Sequence, residues 1–483
     1  MSRPLFAGYP ASSADEAVSP DGRLRDDYAL LGPALDRLGV NGLAAAADAM
    51  ALERSARGVT VASWSDGRQS VQPLPLDPFP RIVSAADWAR VAAGVEQRHR
   101  ALNAFLADAY RAAGRRRGDA DRDPELVRAG VLPEWAVAHS PARHPEAVGQ
   151  AWPGQPRATV AAVDVLRTAS GDWLAAADHL RVPAGLGYAL ANRVSARAAL
   201  PELTAADDPR DALGGLRSGL AGAAPPGTAA ARIAVLSAGE SDNAWFEHGF
   251  LAEALGVPLV RAADLWPRAD GGVEASLDGV RHPVDVLYRR FDDGMLGAFR
   301  TPTGQSLDVL LTEAVRAGRL GLANVPGNGL ADDTSTYAWV PAMIRFYLGE
   351  EPLLGSVPTW VLANDDQWAQ VRDRLHELVV KPVAGYGGRG TVFGPACSSA
   401  ELAALEAEVA AAPYRYVVQE PVAASTMPTL VEGALQPRRV DLRVFSVAGP
   451  EGAARALRAP LTRVALGTTP GAGRGTKDTR LLG

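Results

Sequence analysis

The sequence predicts a protein of mixed α/β and α+β segments arranged in several domains. Three observations carry this. From Arg232 to about Val325, short apolar runs alternate with helical runs, the pattern of a parallel α/β layer. From Leu378 to Pro421 the order is strand, glycine loop, strand, helix, strand. A length of 483 residues exceeds what one core holds, so roughly two to four domains are expected.

The first part, residues 1–150, is expected to be mostly helical. It holds an alanine-rich run, LGPALDRLGVNGLAAAADAMALE, and the proline-broken SVQPLPLDPFP. A long helix follows from about Ala86 to Arg111, with Ser84 as N-cap and Asp87 three residues on. Trp88, Val91, Val95, Leu102, Phe105 and Ala109 form its apolar stripe. The mixed-charge tract from Arg115 to Asp123 reads as a solvated connection. Between residues 151 and 220, ATVAAVDVL and DWLAAAD are strands joined by the turn TASGD, a hairpin. GGLRSGLAGAAPPGTAAA is linker-like, and a domain boundary is expected within Gly214 to Ala230. The α/β layer is expected to occupy 231–350, and a last unit with the glycine loop and two further alternating strands fills 355–483. No internal repeat is visible.

Composition excludes several function classes. Hydrophobic content of 47% and charged content of 22% are those of a soluble globular protein. The formal net charge of −6 argues against a general nucleic-acid or membrane-surface binder. No apolar run approaches the length of a membrane span, and the N-terminus has no basic and apolar signal pattern, so a cytoplasmic protein is expected. The single cysteine, Cys397, excludes an intrachain disulfide framework and a cysteine metal cluster.

Lys and Arg together number 49, yet only Lys381 and Lys477 are lysines. Both sit in glycine-rich motifs, LVVKPVAGYGGRG and GAGRGTKDT. Arginine is a flat fork, whereas lysine is a compact charge on a thin stem that passes beneath a glycine loop to a phosphate oxygen. Lys381 ends an apolar strand, and Gly385, Gly387, Gly388 and Gly390 let backbone N–H groups approach phosphates. This is not a P-loop, in which the glycines precede the lysine; an ordinary hairpin with a glycine turn has the same local residues. Gln419 and Glu420 end the next strand, where a purine can be held. Asp441 and Arg443 share one face of the strand VDLRVF, Arg463 adds a cation on LTRVAL, and Lys477 with Asp478 closes the set. Cations and carboxylates beside a glycine loop suit phosphoryl transfer, which is mainly positioning and charge neutralisation; a solvated sheet face is the competing reading for each residue alone.

The runs NVPGNGLADDTSTYAWVPAMIRFYLGEEPLLGSVPTW, LVVKPVAGYGGRGTVFGPA, PRRVDLRVF, LTRVALG and GTKDT, with the earlier DGRLRDDY, FPRIVSAADWARV, RALNAFLADAY and YRRFDD, resemble the circularly permuted ATP-grasp type 2 family. That family is distantly similar to glutathionylspermidine synthetase. The likeness runs in order from about residue 20 to the end. It implies a circularly permuted ATP-grasp fold with an inserted Rossmann-like parallel α/β domain and an N-terminal helical region. It further implies ATP as cofactor and ATP-dependent ligation of a carboxylate to an amine through an acyl phosphate. Partners of the family include a helical alpha-E protein and a transglutaminase-like protein. By the resemblance, Lys381, Gln419 and Glu420 fall on ATP-binding positions, and Arg443, Arg463 and Lys477 on polar strands and the final turn, as catalytic candidates.

Two departures stand out. The family's early hairpin resembles an aspartate followed by a Glu-Asp-Asn triplet that supplies Mg²⁺ ligands; here Asp164 is retained, but the triplet reads Ala177-Asp178-His179. Mg²⁺ prefers oxygen ligands, which alanine lacks and imidazole replaces poorly. Asp178 is expected to point to the opposite face from Ala177 and His179, and His179 to fill the site as a polar residue, with a metal ligand of another kind as the alternative. The family's Asp-Asp-Lys motif reads Asp332-Asp333-Thr334. The alternative to an active ligase is therefore a catalytically degenerate protein acting as partner or scaffold. A third reading, an oxidoreductase built on 231–350, lacks the glycine fingerprint in its first turn, SAGESDN.

Overall fold

The computed structural model describes residues 5–65, 68–111, 123–152, 154–204, 210–383, 390–449, 452–467 and 474–482. Its framework is a nine-stranded sheet assembled from distant parts of the chain. Across the sheet the strand order is Gly355–Ser356, Trp173–His179, Val160–Arg167, Ala434–Ala448, Leu461–Ala465, Arg474–Leu481 and Leu76–Val83. Thr426–Val431 and Ala454–Ala456 pair with the two ends of Ala434–Ala448. The expected hairpin is present, with Val160–Arg167 antiparallel to Trp173–His179.

Alternation along these strands decides what each face meets. Val163, Val165, Leu442 and Val444 pack with Trp88, Val91 and Val95 of the helix Ala85–Ala109. Ser84 caps that helix by accepting from Asp87 N–H at 3.2 Å, as its sequence predicts. The opposite face carries Val160, Ala162, Phe445 and Val447, packed against the helix Leu186–Ala199 and the parallel layer. Asp164 and Arg443 lie on this second face, where the apolar packing ends.

The region 1–150 is less helical than its composition suggests. Besides the helices Gly32–Ala56 and Ala85–Ala109, it contains a hairpin, Thr60–Ser65 with Arg68–Pro73, and the strand Leu76–Val83. The prolines that disguise this last strand, Pro78 and Pro80, are tolerated because it lies at the end of the sheet. The linker-like stretch after Gly214 is likewise partly helical, Asp211–Gly222. Two of its glycines serve close packing: a Cβ on Gly215 would stand 2.9 Å from Leu457 Cδ2, and one on Gly219 2.9 Å from Val447 Cβ.

The alternating segment forms a four-stranded parallel sheet, in order Gly321–Ala323, Val286–Arg289, Ile233–Leu236 and Leu259–Val260. Helices Trp245–Leu255 and Leu307–Arg316 connect it, and a three-stranded antiparallel sheet, Leu265–Pro267, Val273–Leu277 and Val280–Val284, adjoins it. Residues 237 to 244 separate the first strand from its helix, so no tight glycine turn feeds a helix N-terminus as dinucleotide binding requires. The last unit is a four-stranded antiparallel sheet, Thr359–Val361, Tyr416–Gln419, Val379–Pro382 and Val392–Phe393. Val380 and Val418 pack on Leu405 and Val409 of the helix Ser399–Ala411, which carries a Ser398/Glu401 capping box. Among the described residues, no helix is long and apolar enough to cross a membrane.

Two buried histidines make stability depend on pH. His99 bridges Ser446 Oγ and the Ala158 carbonyl, each at 2.8 Å, and burial lowers its pKa to about 4. His248 Nδ1 meets Ser237 Oγ at 2.8 Å; burial, aided by the Arg290 cation, lowers its pKa to about 2. Both stay neutral in the fold, while the unfolded chain takes up protons near the ordinary histidine pKa. Their contribution is therefore present above about pH 6.5 and lost as pH falls, at about 1.4 kcal/mol per pH unit for each. Denaturant unfolding between pH 7 and 5 should show this slope, shallower in a His248→Asn variant.

Candidate nucleotide and phosphate site

The site lies where the face of the four-stranded antiparallel sheet opposite the helix Ser399–Ala411 meets the second face of the nine-stranded sheet, Lys381 standing within the field of Asp164. Asp164 is its hub. In the strand register Arg443 stands opposite Asp164, and Arg463 opposite Asp441, so all four share one face. Arg443 donates from Nε to Asp164 Oδ1 at 2.7 Å and from Nη2 to Oδ2 at 2.9 Å, a two-pronged contact. Arg463 reaches Asp164 Oδ2 through Nη2 at 2.9 Å and Asp441 through Nε at 2.6 Å. His179 Nε2 is 3.0 Å from Asp164 Oδ2 and 2.9 Å from Arg443 Nη2; the imidazole tautomer decides whether it donates to the first or accepts from the second.

Burial alone would raise the Asp164 carboxyl, but Arg443, Arg463 and His179 outweigh it and hold it well below the usual carboxylate range. Burial would lower Arg463, yet Asp164 and Asp441 raise it above the ordinary guanidinium value.

Lys381 arrives from the other sheet. It pairs with Val417 on the face turned away from the Val380 and Val418 core, and its ammonium donates to Gln419 Oε1. Burial lowers its pKa, and the field of Asp164 opposes that shift. The structure therefore brings Lys381, Gln419, Asp164, Arg443 and Arg463 together. Gln419 also donates to Thr359 Oγ1 at 2.9 Å. Glu420 stands at the edge, accepting from Arg374 Nη2 at 3.2 Å. Gly390 is exposed with φ +72°, a left-handed conformation that favours glycine; Gly385, Gly387 and Gly388 lie outside the described residues.

Lys477 is not among the residues brought together. It lies within the strand Arg474–Leu481 and not in a turn, and its neighbour Thr476, not Lys477 itself, stands opposite Arg463. Its side chain thus takes the other face of the sheet. There its buried ammonium pairs with Asp77 and donates to the carbonyls of Phe79 (3.2 Å) and Pro428 (2.8 Å). Asp478, on the site's side of the sheet, is bound to Arg193 of the helix Leu186–Ala199.

Sequence reasoning gave no role to the loop that supports Arg443. Arg443 Nη1 donates to the Ala184 carbonyl at 2.8 Å. The next residue, Gly185, has φ +122°, and a Cβ there would come 2.9 Å from Leu461. Glu247 Oε1 accepts from Gly185 N–H at 2.6 Å and Gly187 N–H at 2.9 Å, and Arg290 binds Glu247 Oε2 at 2.9 Å and the Pro183 carbonyl at 2.7 Å. The parallel layer thereby holds the loop. The only signal in the sequence is the paired arginine in YRRFDD. Asp332 and Asp333 serve backbone: Asp332 accepts from Leu180 N–H and, at 3.0 Å, Arg181 N–H, while Asp333 caps Thr334–Tyr337.

The donor set does not fit Mg²⁺ at Asp164. Both its oxygens are engaged by cationic donors, Ala177 opposite it offers no ligand, and Asp178 turns to the other face, where Arg98 grips both its oxygens at 2.8 and 2.5 Å. Among the described residues, no group of three or more His, Cys, Asp or Glu side chains could hold a metal ion.

Comparison with known proteins agrees with this architecture. A Frankia alni protein provisionally named glutamate–cysteine ligase 2-3 is 41% identical, over 98% of this chain and 54% of its own length. A Frankia casuarinae protein provisionally named glutamate–cysteine ligase 2-2 is also 41% identical with the same coverage, so the chain spans about half the length of these curated relatives. An uncharacterized Mycobacterium tuberculosis protein is 37% identical over 99% of this chain and 86% of its own. Among solved structures, a glutathione synthetase-like effector from Globodera pallida in its apo form matches with a TM-score of 0.55 and 13% identity, covering 91% of this chain and 97% of that one, a likeness of fold alone. The family model for circularly permuted ATP-grasp type 2 matches residues 80–465, and the chain belongs to that family.

Proposed function

We propose that the chain binds ATP between its two sheets and uses it to join a carboxylate to an amine through an acyl phosphate. The observation that carries this reading is Lys381: a half-buried ammonium, bonded only to a neutral amide among the described residues, facing a cluster of two arginines across the cleft. An unpaired cation at such a place is stabilised by an arriving phosphate. Arg443 and Arg463 would steady the charge that develops on the transferred phosphoryl group, and Asp164 and Asp441 hold those guanidiniums in place before the substrate arrives. Gln419 orients Lys381, so its amide acts on the lysine first and on a purine only through it. Family membership and the ligase names of the Frankia relatives support the reaction class.

Replacing Lys381 with alanine should weaken ATP binding by roughly tenfold or more while leaving the melting temperature nearly unchanged, because the residue sits at the cleft and not in a core. Calorimetric titration checks both. ADP release that depends on added carboxylate and amine tests the chemistry.

The closed hub at Asp164 favours a second reading, a nucleotide-binding partner or scaffold without turnover, whose associates would be a helical alpha-E or transglutaminase-like protein. Absence of substrate-dependent ADP release across carboxylate and amine panels, with ATP binding intact, would select it.

A further inference from the structure

We infer that the centre around Asp164 takes the phosphates of its ligand without a divalent cation, the fixed charges of Arg443, Arg463 and Lys381 standing in for a metal ion. This deepens the ATP reading and rests on it.

The carboxylates come first. A carboxylate offers about four lone-pair directions. Asp164 Oδ1 accepts from Arg443 Nε, and around Oδ2 stand Arg443 Nη2, Arg463 Nη2 and His179 Nε2, all within 3.0 Å. Mg²⁺ demands oxygens at roughly 2.0–2.1 Å in octahedral array. To reach Asp164 it would have to displace these donors and then sit beside two guanidiniums. Asp441 is held by Arg463, and Asp178 by Arg98 on the far face. The second Asp441 oxygen meets no donor among the described residues, but a metal there would sit beside the Arg463 guanidinium that holds the first.

The cations point the other way. Arg463 Nη1 meets no acceptor among the described residues, and Lys381 has only the Gln419 amide oxygen. The three cations exceed the two carboxylates, Asp164 and Asp441, by one charge. Anchored, positively charged and supplied with free N–H groups, the cluster favours the more highly charged, metal-free form of a polyphosphate.

Calorimetry of the purified chain with ATP, in EDTA and in excess Mg²⁺, tests this. The expected result is binding in EDTA that Mg²⁺ leaves unchanged or weakens, because the magnesium complex presents less negative charge. Tightening by roughly tenfold or more on adding Mg²⁺ would overturn the inference. Asp164→Asn supplies a second sign: it retains an acceptor for the arginines and removes a negative charge. Whatever its affinity in EDTA, the ratio of its affinities with and without Mg²⁺ should equal the parent's, whereas a Mg²⁺ effect present in the parent and lost in folded Asp164→Asn protein would mark a metal ligand. Should that variant fail to fold, Ala177→Glu with His179→Asn is read instead; it should acquire Mg²⁺-dependent binding, and a double variant still indifferent to Mg²⁺ would refute the argument. Inorganic tripolyphosphate separates the two readings. If it binds in EDTA while ATP does not bind at all, the nucleotide reading falls and the metal-free anion site stands; if neither binds, both fall.

Discussion

Lys477→Ala should cost about 3–5 kcal/mol of folding stability while leaving ATP affinity per folded molecule unchanged. Lys477 and Asp77 are both buried, and their charges compensate each other. The carboxylate also accepts from Phe79 N–H at 3.0 Å and Leu430 N–H at 2.7 Å, and the ammonium serves the carbonyls of Phe79 and Pro428. One lysine thus ties together the strands Leu76–Val83, Thr426–Val431 and Arg474–Leu481. Truncating it leaves a buried carboxylate without its counter-charge and takes the ammonium donor from two carbonyls. Burial lowers the Lys477 pKa and Asp77 opposes that shift, so the pair depends on both members. The joint replacement Asp77→Asn with Lys477→Met should recover much of the loss, because it leaves no lone charge. Urea unfolding measures the stabilities. A Lys477→Ala protein of normal stability with impaired nucleotide binding would return this residue to the site.

Glu247→Ala should be comparably damaging, about 3–5 kcal/mol, and should also weaken ATP binding. Arg290 and Glu247 are nearly inaccessible, with side-chain exposures of 1% and 0%. Removing the carboxylate strands the guanidinium and frees the N–H groups of Gly185 and Gly187. That loop carries the Ala184 carbonyl to which Arg443 is anchored, so the guanidinium loses one of its fixed points. Glu247→Gln, which keeps an acceptor for the two N–H groups, should fall between the alanine variant and the parent. Unfolding and calorimetry on the same preparations provide the check: an alanine variant that binds ATP like the parent would disconnect the parallel layer from the site.

Much of the fold was legible where local signals are strong. Ser84 announces its helix by its cap, and alternation and turn residues announce the hairpin around TASGD. Reading failed where tertiary context redefined a local signal. The prolines of Leu76–Val83 look like a loop until its pairing partner 400 residues away is known. The glycines of Asp211–Gly222 look like a linker until Val447 is seen beneath Gly219. At the site, strand parity placed Asp441, Arg443 and Asp178 on their observed faces, because period two is a covalent property of a strand. Lys477 shows the same rule in reverse: its glycine-rich flank reads as a turn, while within the strand Arg474–Leu481 its parity turns it away from Arg463. The closing of Asp164 by arginines was invisible, since it depends on which strands become neighbours.

The pairing of Leu76–Val83 with Arg474–Leu481 also sets a schedule. Its two strands leave the ribosome hundreds of residues apart, so the earlier one must wait with an open flank until almost all of the described chain has been made. Closing so large a loop is slow, and an idle strand edge invites capture by a neighbouring nascent chain. Pro78 and Pro80, which lack an N–H to donate, make that waiting edge a poor template for mispairing, and Lys477 then locks the correct partner by pairing with Asp77.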